Sequence, residues 1–255
     1  MMRVMTGFLA ALAWALLAAA PASAADKVVL MLNWYVYGEH APFYYGKAKG
    51  IYAAEGIDLE IQEGRGSAAT TQAVAAKTAD FGYVDVPTMM RAAIKGAPVV
   101  ATGVLLQTSP MSAMGFVDKN IRKPEDIKGK IVAVTPGDSM SQIWPLFLKK
   151  TNIGEGDFKQ VAGDAQTKLN AVINGQADLL LGYVMDQAIK LQDATKKQVY
   201  PIRFADYGVN LVSSGIIVKR KRSPRIRTWS SASCARRRNR SRKRPRIRKL
   251  RSMRC

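Results

Sequence analysis

The octapeptide Asn33-Trp34-Tyr35-Val36-Tyr37-Gly38-Glu39-His40 is the densest mixture of aromatic and polar residues in the chain, and it joins the carboxyl end of a strand to a helix start. In a cleft, Trp34 and the tyrosines would stack on a flat ligand while Asn33 and His40 fix its orientation through hydrogen bonds. The competing assignment packs two or three of these rings into a core. His40 is the only histidine, which excludes His-cluster metal sites and His-based triads unless it acts alone. No nucleophile, base and orienting group stand in a recognisable series, so no catalytic residue, metal ligand or cofactor is assigned.

Two small-residue turns, Gly64-Arg65-Gly66-Ser67 and Gly137-Asp138-Ser139-Met140-Ser141, each precede a helical segment. Free amides and the helix dipole at such a start bind a carboxylate, sulfonate or phosphate oxygen; alternatively Ser67 and Ser139 are ordinary N-caps. Neither turn ends in the Gly-Lys-Ser/Thr of a phosphate loop. Asp85 either accepts hydrogen bonds from an amino-heterocycle or caps the helix that Pro87 opens. Gln107, with Thr108 and Ser109, either lines a cleft or forms a hinge.

The elements that would position these groups alternate between short apolar strands and helices, the pattern of an α/β fold with largely parallel sheets. Strands are expected at Lys27–Leu32, Ile57–Ile61, Phe81–Val84 and Val99–Leu106, with helices from Pro42, Ser67 and Pro87 between them. A second unit has strands at Met111–Val117, Ile131–Thr135, Phe158–Val161, Leu179–Leu181 and Val199–Phe204. Its helices run from the Gly137 turn through Leu148, with Pro145 near the first turns, and over Gln166–Ile173 and Met185–Leu191. Leu211–Val218 returns the chain. Ala79-Asp80-Phe81-Gly82-Tyr83 is echoed by Ala177-Asp178-Leu179-Leu180-Leu181-Gly182-Tyr183, which places each Asp in the turn into a strand and each Tyr at the strand's carboxyl end, where open α/β sheets bind ligands.

The two chain ends differ from this body. Arg3, an apolar run over Gly7–Ala20 and then Ala22-Ser23-Ala24 form an export signal cleaved after Ala24. The run is too short for a membrane span. The last 37 residues hold 18 Lys and Arg and no acid, which leaves 21 basic against 19 acidic residues before them. Clustered positive charge of this kind binds polyanions when it is native. This tail contains Trp229, Cys234, Met253 and Cys255 in no periodic pattern and repeats Pro-Arg-Ile-Arg at 224–227 and 245–248. Written in suitable codons and displaced by two letters, those repeats read Lys-Asn-Pro-Asp and Lys-Asn-Pro-Glu, both good helix starts. The tail 219–255 is therefore read as a disordered frameshift product, and the net charge of +20 implies no nucleic-acid partner. Both cysteines lie in it, so the body uses no disulfide framework.

The run Leu32-Asn33-Trp34, His40-Ala41-Pro42-Phe43-Tyr44, Lys49-Gly50-Ile51-Tyr52, Glu55-Gly56-Ile57-Asp58-Leu59, Ala79-Asp80-Phe81-Gly82 and Gly96-Ala97-Pro98-Val99-Val100 resembles the nitrate/sulfonate/taurine and thiamine-pyrimidine-precursor group of ABC-transporter substrate-binding proteins. Lys123-Pro124-Glu125-Asp126-Ile127-Lys128-Gly129-Lys130 is similar to that group's segment leading into its second lobe. The resemblance covers residues 26–218. It implies a type 2 periplasmic binding fold with lobe 1 over 25–109, lobe 2 over 110–205 and a return crossover over 206–218, the C-terminal helices of the group being absent. It also implies a periplasmic, monomeric, non-enzymatic protein that closes on a small solute, planar and heterocyclic or oxyanion-bearing, and delivers it to an inner-membrane ABC permease. The related enzymes that synthesise the thiamine pyrimidine are the alternative. The candidate ligand-binding residues are Asn33, Trp34, Tyr37, His40, Tyr44, Ser67, Asp85, Gln107, Ser139, Ser141 and Tyr183. Asn33 stands where pyrimidine-precursor binders commonly carry Asp.

Overall fold

The computed structural model describes residues 25–220; the expected export signal and the expected tail beyond Arg220 lie outside the described residues, while Lys219, the expected first residue of that tail, ends a strand. Two mixed five-stranded sheets carry helices on their faces. The first half runs β1 (Asp26–Met31), α1 (Ala41–Ala48), α2 (Ile51–Ala54), β2 (Ile57–Gln62), α3 (Ser67–Ala76), β3 (Phe81–Asp85), α4 (Val86–Ile94) and β4 (Val99–Val104). The second runs β5 (Met111–Phe116), β6 (Ile131–Val134), α5 (Ser139–Thr151), β7 (Lys159–Ala162), α6 (Ala165–Ile173), β8 (Leu179–Tyr183), α7 (Ile189–Thr195) and β9 (Val199–Arg203), after which β10 (Ser214–Lys219) rejoins the first sheet.

The sheets share one plan. Their orders are β2-β1-β3-β10-β4 and β7-β6-β8-β5-β9. The first three strands of each are parallel, and the fourth is antiparallel to both neighbours. That fourth strand is in each case the one the chain lays down on arriving from the other half.

The sequence echo has a physical basis. Asp80 donates its amide to the Val29 carbonyl (3.0 Å) and accepts the Val29 amide on its carboxylate (2.9 Å); Asp178 makes the same pair with Ile131 (2.8 and 2.9 Å). Each aspartate thereby satisfies the backbone of the neighbouring strand and fixes the register in which Tyr83 and Tyr183 reach the strand ends.

Helix starts follow local chemistry. The Asp85, Asp138 and Asp164 carboxylates accept the amides of Thr88, Ser141 and Thr167 at 3.1, 2.7 and 2.8 Å, capping α4, α5 and α6. Helix α3 starts after Gly66 (φ 115°) with no side-chain cap. Helix α5 runs past Leu148 to Thr151 and holds Pro145 in its middle rather than in its first turns. Its buried stripe, Met140, Ile143, Trp144, Phe147 and Leu148, outweighs the lost amide. Trp144, Phe147 and Phe204 stack face to face in the largest core cluster, with Phe147 and Phe204 at 4.2 Å. The expected helix at Met185–Leu191 is instead a π-helical turn over Val184–Ala188 that leads into α7. Strand β10 starts at Ser214, three residues later than expected, because Leu211 to Ser213 belong to the crossover.

The two crossovers are tied together: Leu105 and Leu106 donate their amides to the Ser214 carbonyl (2.9 and 3.0 Å), and Ser213 donates to Leu106 (2.8 Å). No helix among the described residues is long and apolar enough to cross a membrane.

Candidate functional site

A cleft holding about 350 Å³ of space, open solvent included, lies between the two sheets. The first half contributes Asn33, Trp34, Tyr37, Gly66 and Ser67, from the loops after β1 and β2. The second contributes the start of α5, Lys168 from α6, and the end of β8 with the π turn: Asp138 to Met140, Gly182, Tyr183, Asp186 and Gln187. Every segment involved follows a strand's carboxyl end, α6 included, which starts three residues after β7 and holds Lys168 in its first turn. The two helix starts nearly touch across the gap, since a Cβ on Gly66 would lie 3.1 Å from the Gly137 carbonyl.

Their polarity differs. Helix α3 has no capping side chain, and Ser67 uses its hydroxyl oxygen to accept the Asp85 amide (3.0 Å), so the first amides of α3 are left for an acceptor. Helix α5 is already met by the Asp138 carboxylate. Behind Asp138 sits Lys168, 2% exposed, whose ammonium donates to the Leu181 carbonyl (2.8 Å) and lies 3.5 Å from the second Asp138 oxygen. The same ammonium faces the Trp34 ring at 5.4 Å. Burial pulls the Lys168 amine below its ordinary value and pushes the Asp138 carboxyl above its own, because each charge is removed from water.

Six of the expected ligand-binding residues line the cavity: Asn33, Trp34, Tyr37, Ser67, Ser139 and Tyr183. Tyr183 sits at the junction of the halves, its hydroxyl 3.2 Å from the Ser139 hydroxyl and 3.3 Å from that of Ser213 on the crossover. The other five stand elsewhere. His40 has no exposed surface and binds Asn33 Oδ1 through Nε2 (2.8 Å), packed edge-on between Tyr37 and Tyr83. It positions Asn33 instead of facing the cavity. Asp85 is fully buried and caps α4, also accepting the Thr88 hydroxyl (2.9 Å). Ser141 turns back to Asp138, donating its hydroxyl to that residue's carbonyl (3.0 Å). Tyr44 lies exposed on α1, because the α1 face that packs inward is that of Phe43 and Gly46. Gln107 is exposed on the first crossover, outside the cavity wall.

Lys168, Asp186 and Gln187 were not anticipated. Lys168 had a signal, since it shares a helix face with buried Ala171 and Val172, where a lysine is rare unless paired. The sequence carries a weaker signal for Asp186: Asp85 follows Tyr83 by two positions and Asp186 follows Tyr183 by three, the added residue being absorbed by the π turn.

His40 and Asp85 make opposed contributions to stability with pH. Burial lowers the His40 ring to about 4. Between that value and the ordinary histidine range the unfolded chain holds the extra proton, so stability falls as pH drops. Burial raises Asp85 to about 6, partly offset by the Thr88 donors. Between about 4 and 6 the folded chain holds that proton, so stability rises as pH drops, by about 3 kcal/mol against a similar loss at His40. Asp85→Asn, which keeps an acceptor for the Thr88 amide, should therefore expose the histidine's acid loss as a melting temperature that falls between pH 6.5 and 4. A melting profile parallel to that of the unmodified protein would disprove the compensation.

Two sheets with matched order, joined by paired crossovers around a cavity at their strand ends, define the two-lobed fold of periplasmic solute-binding proteins. The likeness is direct with the periplasmic aliphatic sulphonate binding protein SsuA of Escherichia coli: TM-score 0.62 at 14% identity, over 83% of this chain and 69% of that one. The family description NMT1/THI5 like matches residues 38–225, and the chain belongs to that family. Among curated relatives, it is 27% identical over 181 residues to the 4-amino-5-hydroxymethyl-2-methylpyrimidine phosphate synthase of Legionella pneumophila, covering 71% of this chain and 57% of the relative. It is 24% identical over 188 residues to the formylaminopyrimidine-binding protein of Halalkalibacterium halodurans, covering 73% and 56%. The chain thus spans little more than half the length of these two relatives.

Proposed function

We propose that this protein is the solute receptor of an ABC importer, exported with its leader removed after Ala24, acting as a monomer and handing a small planar solute to a membrane permease. The observation that supports this reading best is the cavity's composition. It offers an aromatic wall, an uncapped helix start on one side and two carboxylates, Asp138 and Asp186, on the other, with the only histidine walled off behind Asn33. A solute with an oxygen-rich end toward α3 and hydrogen-bond donors toward the carboxylates suits those walls.

The synthase reading has one residue in its favour, Lys168, the single amine in the cavity wall. Its ammonium is held by Leu181 and Asp138, which suits a fixed wall better than a nucleophile. A calorimetric screen of aminopyrimidines, N-formylated aminopyrimidines, alkanesulfonates and nitrate, with each solute recovered and weighed by mass spectrometry, separates the two readings. The receptor reading expects saturable binding and unchanged solute; consumption of a bound solute would overturn it. Trp34→Ala should weaken the bound solute by roughly thirtyfold, the loss of about 2 kcal/mol of stacking and apolar burial. Unaltered affinity in that variant would place the solute elsewhere.

A further inference from the structure

Across the rim of the cleft, one side chain from the first half is gripped by three from the second. The Tyr35 hydroxyl donates to Asp186 Oδ2 (2.6 Å) and accepts from Gln187 Nε2 (3.1 Å). The Lys190 ammonium lies 3.7 Å from the centre of the Tyr35 ring and 3.2 Å from Asp186 Oδ1. All three partners come from the π turn and the first residues of α7, with Asp186 and Lys190 four positions apart and paired. Gln187 is itself fixed, its Oε1 accepting the Tyr183 amide at 2.8 Å.

Tyr35 is absent from the cavity wall, but both its neighbours in this arrangement belong to it: Trp34, with ring centroids 5.5 Å apart, and the Asp186-Gln187 pair. The Tyr35 contacts form only when the halves are together, and they are stronger than an ordinary surface pair because the Asp186 carboxylate that accepts them is buried. We infer that Tyr35 with Asp186, Gln187 and Lys190 is a catch that holds the cleft shut and sets how long a solute stays, with Tyr35 and Lys190 acting from outside the cavity wall. This rests on the receptor reading for its biological meaning, though not for its measurement.

The test places spin labels at two exposed helix positions, Lys47→Cys on α1 and Gln192→Cys on α7, in the full chain with Cys234→Ser and Cys255→Ser, and reads the distance distribution without added solute. Tyr35→Phe keeps the ring under Lys190 and removes the hydroxyl. The catch expects the ratio of short to long distances to fall about tenfold or more, the factor carried by one hydrogen bond to a carboxylate, with the melting temperature falling by no more than the roughly 5 °C that this loss of closure accounts for. Asp186→Asn should do the same, and the two together little more than either. Tyr45→Phe, at an exposed ring, should change nothing. An unaltered distribution in Tyr35→Phe, a wild type already wholly open, or a fall in melting temperature well beyond about 5 °C, the mark of a loosened fold, would each overturn the proposal. If no screened solute binds but Tyr35→Phe opens the cleft, the receptor reading fails and the catch stands. If a solute binds and leaves Tyr35→Phe at the wild-type rate, the reverse holds.

Discussion

Asp138→Asn should lower the melting temperature by about 10 °C or more, and Lys168→Met added to it should recover most of that loss. The asparagine keeps an acceptor for the Ser141 amide, so the cap on α5 survives. What it removes is the only carboxylate paired with an ammonium that is 2% exposed. Breaking one side of a buried pair costs about 3–5 kcal/mol, whereas replacing both sides by groups of similar volume is often close to neutral. For a body of this size each kcal/mol moves the midpoint by about 2–4 °C. In Asp138→Asn the deficit should shrink as pH rises toward the free lysine value, because there the unfolded chain still binds the proton that the buried amine has released. A single variant as stable as wild type, or a double variant no better than the single, would show that the pair is not energetically coupled.

Gly64→Ala should be the most damaging single-methyl change in the first half, with an expected cost of about 3 kcal/mol or more. A Cβ at Gly64 would lie 1.8 Å from the Leu32 carbonyl oxygen and 2.8 Å from both the Leu32 carbonyl carbon and the Thr70 hydroxyl. Backbone must move, because no flexible side chain is there to yield. The same stretch is held by the Gly64 amide on the Trp34 carbonyl (3.2 Å), the Gly66 amide on Asn33 (2.9 Å) and the Thr70 hydroxyl on Leu32 (2.7 Å). Displacing it shifts Asn33 and Trp34, so solute affinity should fall together with stability. Gly38→Ala, which meets nothing within 4 Å, is the matched control. Circular-dichroism melts of the two variants decide the matter, and equal midpoints would refute it.

The strands and most helices were legible because each is punctuated locally. Apolar runs bounded by Gly or Pro marked the strands, and Asp85 and the Gly137 turn announced α4 and α5, although the α5 cap is Asp138 and not Ser139, and Ser67 caps nothing. The site was legible only in part, for a definable reason. Trp34, Ser67, Ser139 and Tyr183 were found because they follow strand ends or start helices, and topology alone carries such positions to the cleft. His40, Asp85 and Ser141 have the same polar character, yet neighbours inside one half take up the groups of His40 and Ser141 and one oxygen of Asp85, whose other oxygen is buried without a partner. Sequence spacing does not reveal which way a polar side chain turns when a backbone amide three residues away competes for it. Lys168 and Asp186 also follow strand ends, those of β7 and β8, but were missed because a lysine reads as solvent-facing until its buried partners are known, and because an inserted residue in the π turn sets Asp186.

The shared plan of the two sheets bears on how the chain reaches its folded state. The fourth place in the first sheet is held by β10, so that Tyr83 faces Ile216, about 130 residues further along the chain. Until β10 is made, β3 and β4 have no strand between them, and the unpaired edge of β3 stays open to other chains. The second sheet has no such wait, because β5 precedes the strands it joins. On a ribosome the second half can therefore complete its sheet before the first, although it is synthesised later. Refolding from denaturant should meet the same order, with closure of the β3–β10 pair as the slow, long-range step.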